Sequence, residues 1–317
     1  MKPGKIIYLL ILVSVISLLL NSCSKVDTEE ARKEALTFQI TGDINADSLE
    51  AQVQWLQAMG TRFTLAGNRR NVAVSIRNRF RMMGYANAKI DSFQIVKTYK
   101  GTTYNQTQYN VSASLEAGTS SDSVCIIGGH FDNILGSGDP FVFTPGANDN
   151  ASGVAAAIEI ARVMKKNDFV PASEIRFVAF GSEELGLYGS YTYASNAKQT
   201  LQKIRLMLNN DMIAYEPSPD KTKWMVNIMD YGNSRYLRRE AEGYCLKYTL
   251  LKPFNDNTSN AYSDSYPFYL NGYKALFFFS RLMDPAYHSV NDISANCNFE
   301  YSREIVKLNC AILINKN

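Results

Sequence analysis

Six residues carry chemistry in this chain: His130 in GGHFDN, Asp149 in GANDNASG, Glu183 and Glu184 in GSEELGLYGS, Asp211 in NNDM and His288 in YHSVND. The chain has only two histidines and both fall in this set, so a site built on three imidazoles is excluded and carboxylates must carry most of any metal centre. Divalent cations accept carboxylate oxygen and imidazole nitrogen, and two ions held about 3.5 to 4 Å apart need one bridging group plus terminal ligands on each. A bridging Asp, two His and two further acids meet that requirement. The adjacent acids Glu183 and Glu184 repel each other unless a positive charge lies close. With a metal there, one can coordinate while the other takes a proton from water that zinc acidifies toward a pKa of about 7. Asp132 lies two residues after His130 and Asp292 four after His288, spacings at which a carboxylate can orient a ligand imidazole.

Elements must bring these residues together. Apolar runs stop abruptly at them: Val124-Cys125-Ile126-Ile127 before His130, Phe177-Val178-Ala179-Phe180 before Glu183, and Leu206-Met207-Leu208 before Asp211. Such runs read as buried strands, and in open α/β sheets ligands bind beyond the carboxyl ends of the strands. The pattern predicts strands over Ile90 to Lys97, Gln108 to Leu115, Ser123 to Gly128, Glu174 to Phe180, Arg205 to Leu208, Trp224 to Met229 and Ala275 to Phe279. Helices are expected over Ser48 to Met59, Arg69 to Met83, Ala151 to Lys165, Ser234 to Cys245 and Tyr301 to Ile314. This alternation argues for an α/β fold: one domain, with a mixed, mostly parallel sheet flanked by helices on both faces. The arginines of the second helix, Arg69 to Arg81, read as a solvated face.

Composition narrows the function classes. In 317 residues, 46% are hydrophobic and 20% charged, and Lys plus Arg total 33 against 30 Asp plus Glu. There is enough apolar material for a large core, which argues against disorder. The balance of +3 gives no surplus to hold a nucleic-acid backbone, so no nucleic-acid partner is expected.

The first 22 residues place Lys2 and Lys5 before an uncharged apolar stretch from Ile6 to Leu20, followed by Asn21, Ser22 and Cys23. About 15 apolar residues are short for a bilayer crossing, which needs roughly 20. Residues 1–22 read as a signal peptide, and Leu20-Asn21-Ser22-Cys23 resembles a bacterial lipoprotein box in which Cys23 is lipidated. Residues 23–44 are expected to be the lipidated Cys and a polar tether, and residues 45–317 the catalytic domain. The implied location is the envelope of a bacterium, at the periplasmic or outer surface. Cys125 and Cys310 fall in apolar segments and read as buried free thiols.

The motifs resemble those of the zinc-dependent exopeptidases typified by bacterial leucyl aminopeptidases, the clan MH family that also contains glutaminyl cyclases. The similarity runs from about Asn45 to the end and implies the zinc exopeptidase (phosphorylase/hydrolase-like) fold. It also implies two zinc ions, with Asp149 bridging, His130 and Asp211 on opposite ions, Glu184 and His288 completing the set, and Glu183 as general base. The family's Gly-Ala-Asp-Asp-Asn reads here Gly146-Ala147-Asn148-Asp149-Asn150, and its Ser-Asp-His-x-Pro-Phe reads Ser263-Asp264-Ser265-Tyr266-Pro267-Phe268. Ser265 thus replaces the usual His, close to Tyr262 and Asp264, which are expected to meet the oxyanion or substrate. One or two aromatics between Phe254 and Tyr287 are expected to face a ligand. The implied activity is removal of N-terminal residues from peptides, with membrane attachment through Cys23. A single-zinc glutaminyl cyclase is the alternative, although Trp55 and Trp224 lie outside both motif regions. An inactive binding lipoprotein is a second alternative, which would be expected to lack a ligand or the base.

Overall fold

A computed structural model describes residues 28–317. Eight strands form one sheet in the order β1-β2-β4-β3-β5-β8-β6-β7. The strands are β1 (Lys89–Tyr99), β2 (Thr102–Leu115), β3 (Ser123–His130), β4 (Glu174–Phe180), β5 (Lys203–Asn210), β6 (Met225–Met229), β7 (Lys252–Phe254) and β8 (Ala275–Ser280). The central strands β4, β3, β5 and β8 run parallel, while β1, β2 and β6 join through antiparallel pairings. The helices are α1 (28–42), α2 (Ala46–Gln57), α3 (Arg69–Met82), α4 (Ser152–Lys166), α5 (Tyr188–Gln199), α6 (Arg235–Tyr248), α7 (Ser265–Leu270) and α8 (Phe299–Lys316).

Successive residues of the central strands point to opposite faces, and both faces are covered. Cys125 and Ile127 of β3, Ile175 and Phe177 of β4 and Leu206 and Leu208 of β5 pack with α2, α3, α4, α6 and α8. Val124, Ile126, Val178, Phe180 and Met207 pack on the other side with Ala194 and Ala197 of α5 and Phe268 of α7. Burial on two faces is why these strands read as unbroken apolar runs.

The topology fixes where the site lies. The β3-α4-β4 connection moves one way along the sheet, and β4-α5-β5 moves back over β3. Right-handed crossovers in opposite directions put α4 and α5 on opposite faces. The crevice left between them opens beyond the carboxyl ends of β3 and β5.

Three features differ from expectation. The tether expected over residues 23–44 is helical over 28–42, and Thr37, Ile40, Thr41 and Ile44 are buried; its polar first turns conceal one inward stripe. Helix α5 has no apolar period in its sequence because it buries only small residues, Gly189, Ser190, Ala194 and Ala197. Of the five arginines of α3, Arg70 is exposed and Arg77 bonds its neighbour Asn78, as a solvated face requires, but the other three turn back onto the protein. Arg69 donates to the Thr107 and Ala66 carbonyls, Arg81 to that of Ala88, and Arg79 to Gln52 while lying 5.1 Å over the Trp55 ring. Among the described residues all four cysteines are free, with Cys125, Cys245 and Cys310 buried.

Candidate metal centre

His130 is the last residue of β3, Glu183 and Glu184 follow β4, and Asp211 follows β5, so three neighbouring strand ends deliver four ligand-type side chains. Asp149 sits in the turn entering α4, on the N-terminal side of a cis Asp149–Asn150 peptide, and His288 lies in the loop after β8 with φ 52°. The two oxygens of Asp149 face different partners. Its Oδ1 lies 3.3 Å from His130 Nε2, and its Oδ2 lies 3.1 Å from His288 Nε2. Asp211 Oδ1 is 3.5 Å from His130 Nε2, and Glu184 Oε2 is 3.0 Å from His288 Nε2. Two donor sets result, His130–Asp149–Asp211 and Asp149–Glu184–His288, each with ligand atoms within 4.8 Å of one another. Asp149 is common to both.

This arrangement corrects the expectation that His130 and Asp211 serve opposite ions: they belong to one set. Glu183 belongs to neither set, its Oε2 lying 3.9 Å from His130 Nε2.

The donors fit cations better than they fit one another. Glu184 Oε1, Asp211 Oδ1 and His288 Nε2 are buried without a hydrogen bond, although carboxylate oxygens lie within 3.1 Å of His288 Nε2. Unpaired buried polar atoms are costly. The ionisation equilibria point the same way. Burial pushes Glu184 up to about 8, reinforced by the charge of Asp149, and burial likewise drives Glu183 well above the carboxylate range, with Glu184 and Asp211 adding to it. Burial opposes the His288 imidazolium, yet the Asp149 and Glu184 carboxylates prevail and raise it to about 10. Protons are retained where the chain has concentrated negative charge, and divalent cations are the natural replacement. Nitrogen and oxygen donors in this mixture suit zinc.

Asp132 and Asp292 are buried beside the site. Asp132 Oδ1 lies 3.8 Å from His130 Nδ1, as its spacing leads one to expect, while the shorter contacts of both acids are hydrogen bonds to other partners. The Asp132 carboxylate accepts the amides of Glu183 (3.0 Å) and Glu184 (3.3 Å) and the Thr64 hydroxyl (2.6 Å). His130 Nδ1 instead faces the Asp132 backbone carbonyl at 3.1 Å. The Asp292 carboxylate accepts the amides of Asn148 (2.7 Å) and Asp149 (3.0 Å). Each acid therefore fixes the backbone that carries a ligand or the unligated glutamate.

The structure explains the departure at Asn148. Its Nδ2 donates to Asp284 at 2.9 Å, and its Oδ1 accepts the Ala214 amide at 2.9 Å. An acid there would face a second carboxylate. Ser265 shares a 2.8 Å hydrogen bond with the Tyr231 hydroxyl, which also donates to the Asn260 carbonyl, tying down the segment that carries Ser259 and Tyr262. Tyr262 and Tyr287 line the cavity over the two donor sets. Asp264 is fully buried and lies outside that lining, which corrects its expected contact with substrate. Burial raises its carboxyl to about 7, against the pull of His130.

Arg62 carries no sequence signal and proves central. Wholly buried, it donates to the carbonyls of Leu56 (3.1 Å), Phe131 (2.7 Å), Pro145 (2.9 Å) and Gly146 (2.6 Å). One guanidinium thereby joins the segment after His130 to the turn leading to Asp149. Burial lowers its pKa to about 10, opposed by Asp292, Asp132 and Asp149. Ser263 was likewise not singled out, and its hydroxyl donates to Asp211 Oδ2 at 2.7 Å.

The family model for peptidase family M28 matches residues 110–313, a span that contains both donor sets. The chain belongs to peptidase family M28. It is 34% identical over 180 residues to a probable leucine aminopeptidase 2 of Aspergillus fumigatus, covering 54% of this chain and 33% of that protein. Across the first curated relatives the chain spans between a fifth and a third of their length. Among solved structures, this M28 chain is similar to LapB from Legionella pneumophila, with TM-score 0.73 and 20% identity over 89% of this chain and 75% of that one. It is also similar to a glutaminyl cyclase of Fimbriiglobus ruber, with TM-score 0.69 and 17% identity over 86% of this chain and 95% of that one. At those identities the likeness is one of fold.

Proposed function

We propose that this M28 chain is a two-zinc aminopeptidase that removes N-terminal residues from peptides in the cell envelope, held to the membrane by a lipid on Cys23. The observation that carries the enzymatic reading is the division of Asp149 between two donor sets with Glu183 left outside both. Bound there, zinc supplies a water acidified toward neutral pH and polarises the substrate carbonyl. Glu183, beside the donor sets and in neither, would serve as the base that takes a proton from the attacking water and returns it to the leaving amine. His130, Asp211, Glu184 and His288 hold the centre, Asp132 aims the two glutamates through their amides, and Asp292 holds the turn of Asp149. The cavity above the site has a volume of about 280 Å³, below the roughly 300 to 1,000 Å³ of small-molecule pockets. The aminopeptidase described from Aspergillus fumigatus supports the same reading.

A glutaminyl cyclase shares the fold, yet Trp55 lies beneath Arg79, Trp224 is buried with its Nε1 on the Ser218 carbonyl, and neither lines the cavity. An inactive binding protein would not need the unligated Glu183. Metal content per chain, measured with hydrolysis of a panel of aminoacyl chromogenic substrates, tests the reading. Two zinc ions and hydrolysis that is lost on chelation and regained with zinc are expected. One ion with cyclisation of N-terminal glutamine would favour the cyclase.

Cys23 lies outside the described residues, and the anchor rests on the lipobox-like sequence. No helix among the described residues is long and apolar enough to cross a membrane. Cys23→Ala is expected to move the protein from the membrane fraction to the soluble one. A variant that still pellets with membranes after a high-salt wash would show that another feature anchors it.

A further inference from the structure

The floor and the rim of the cavity differ. Met212 and Phe277 are buried at the floor, where the Phe277 and Phe279 rings meet edge-on at 5.9 Å. Tyr262, Met283 and Tyr287 line the same cavity but are 75%, 59% and 43% exposed. Exposed apolar residues gathered at the mouth of a site mark a contact surface. We propose that this rim receives the side chain of the residue following the scissile bond, so that the enzyme selects peptides with an apolar second residue. The proposal rests on the aminopeptidase reading and names its substrate class.

Volume and order along the substrate lead to that assignment. About 280 Å³ accommodates one terminal residue over the apolar floor, beside the carboxylates of Asp149, Glu183, Glu184 and Asp211. The next residue must then pass outward over the rim, where the available surface is a thioether, two phenol rings and the Ser259 hydroxyl. No Lys or Arg lines the cavity. An acidic second side chain, or the free carboxylate of a dipeptide, therefore finds no cationic partner there.

The rim is also held in place, which lowers the ordering cost of binding. Asp284 accepts the Ala286 amide at 2.8 Å and the Asn148 side chain at 2.9 Å, and its carbonyl accepts the Tyr287 amide at 3.0 Å. The His288 carbonyl accepts the Gly136 amide at 2.8 Å. The loop of Met283 and Tyr287 is thus tied to the turn that presents Asp149. On the opposite side, Asp230 binds the Asn257 side chain at 2.7 Å and its carbonyl accepts Asn260 Nδ2 at 2.7 Å, fixing the turn before Tyr262.

The test uses the zinc-loaded full chain and compares kcat/KM for leucyl-leucinamide, leucyl-serinamide and leucyl-aspartamide, with leucinamide as the substrate lacking a second side chain. Partial burial of one leucyl side chain on the rim corresponds to a preference of about fivefold to tenfold for leucyl-leucinamide over leucyl-serinamide. Met283→Ser and Tyr262→Ser should each shrink that ratio, and together bring it below about twofold. A contact of the Tyr262 hydroxyl with the reacting carbonyl would lower every substrate equally and leave the ratio intact. Hydrolysis of leucinamide with a ratio near one in the wild type, or a ratio unmoved in the double variant, overturns the rim assignment alone. Failure to hydrolyse any of the four substrates overturns the aminopeptidase reading, and the rim assignment with it.

Discussion

Glu183→Gln is expected to keep its full zinc content and to lose about 10²- to 10⁴-fold in kcat, the range that general-base catalysis contributes. The substitution preserves side-chain volume and removes the oxygen that accepts the proton. It leaves the local scaffold alone, because what fixes position 183 is its backbone amide, which donates to Asp132 at 3.0 Å. Zinc should be retained since Glu183 stands outside both donor sets. Glu184 is the contrasting case, with Oε2 3.0 Å from His288 Nε2 and a place in one set, so Glu184→Gln should reduce metal content as well as turnover. Elemental analysis beside steady-state kinetics separates the two. A Glu183→Gln protein that loses zinc, or that turns over at the wild-type rate, would reverse the roles of the pair.

That His130, the glutamate pair and Asp211 gather in one place was within reach of the sequence, since they close three buried apolar runs and a parallel sheet collects such ends at one edge; which glutamate coordinates was implied only by the family resemblance. What the sequence could not supply was which of them fall in one donor set. His130 and Asp211 are 81 positions apart yet meet because β3 pairs directly with β5, Gly128 opposite Asn209. Strand adjacency of that kind follows from the crossover that reverses the sheet order and leaves no trace in local spacing. The supporting acids show the same limit. Asp132 and Asp292 were picked out by closeness to the histidines, but their oxygens bind the amides of the glutamates and of the Asp149 turn, contacts set by tertiary packing. Arg62 was invisible for a related reason: it is a single loop arginine whose partners are main-chain carbonyls, and carbonyls have no residue type to recognise. Helix α5 escaped because small side chains suffice where it lies on the sheet.

Asp149→Asn is expected to weaken zinc binding at both positions, by at least about 10²-fold each, given that removing even an outer partner of a ligand costs 10- to 100-fold. The geometry leaves the amide no good orientation. With its oxygen toward His130 and Asp211, the NH₂ group points at the Glu184 and His288 set and repels a cation there; turned over, it vacates the other set. Either way the shared negative charge is gone. In the metal-free protein that charge is strongly favoured: burial opposes it, but His130 and His288 hold the Asp149 carboxyl well below the usual carboxylate range. Asp211→Asn provides the internal comparison. Asp211 belongs only to the His130 set, so its loss should empty one position and spare the other. If Asp149→Asn instead retains one ion at wild-type affinity, Asp149 is a terminal ligand of a single cation, and the two donor sets do not share it.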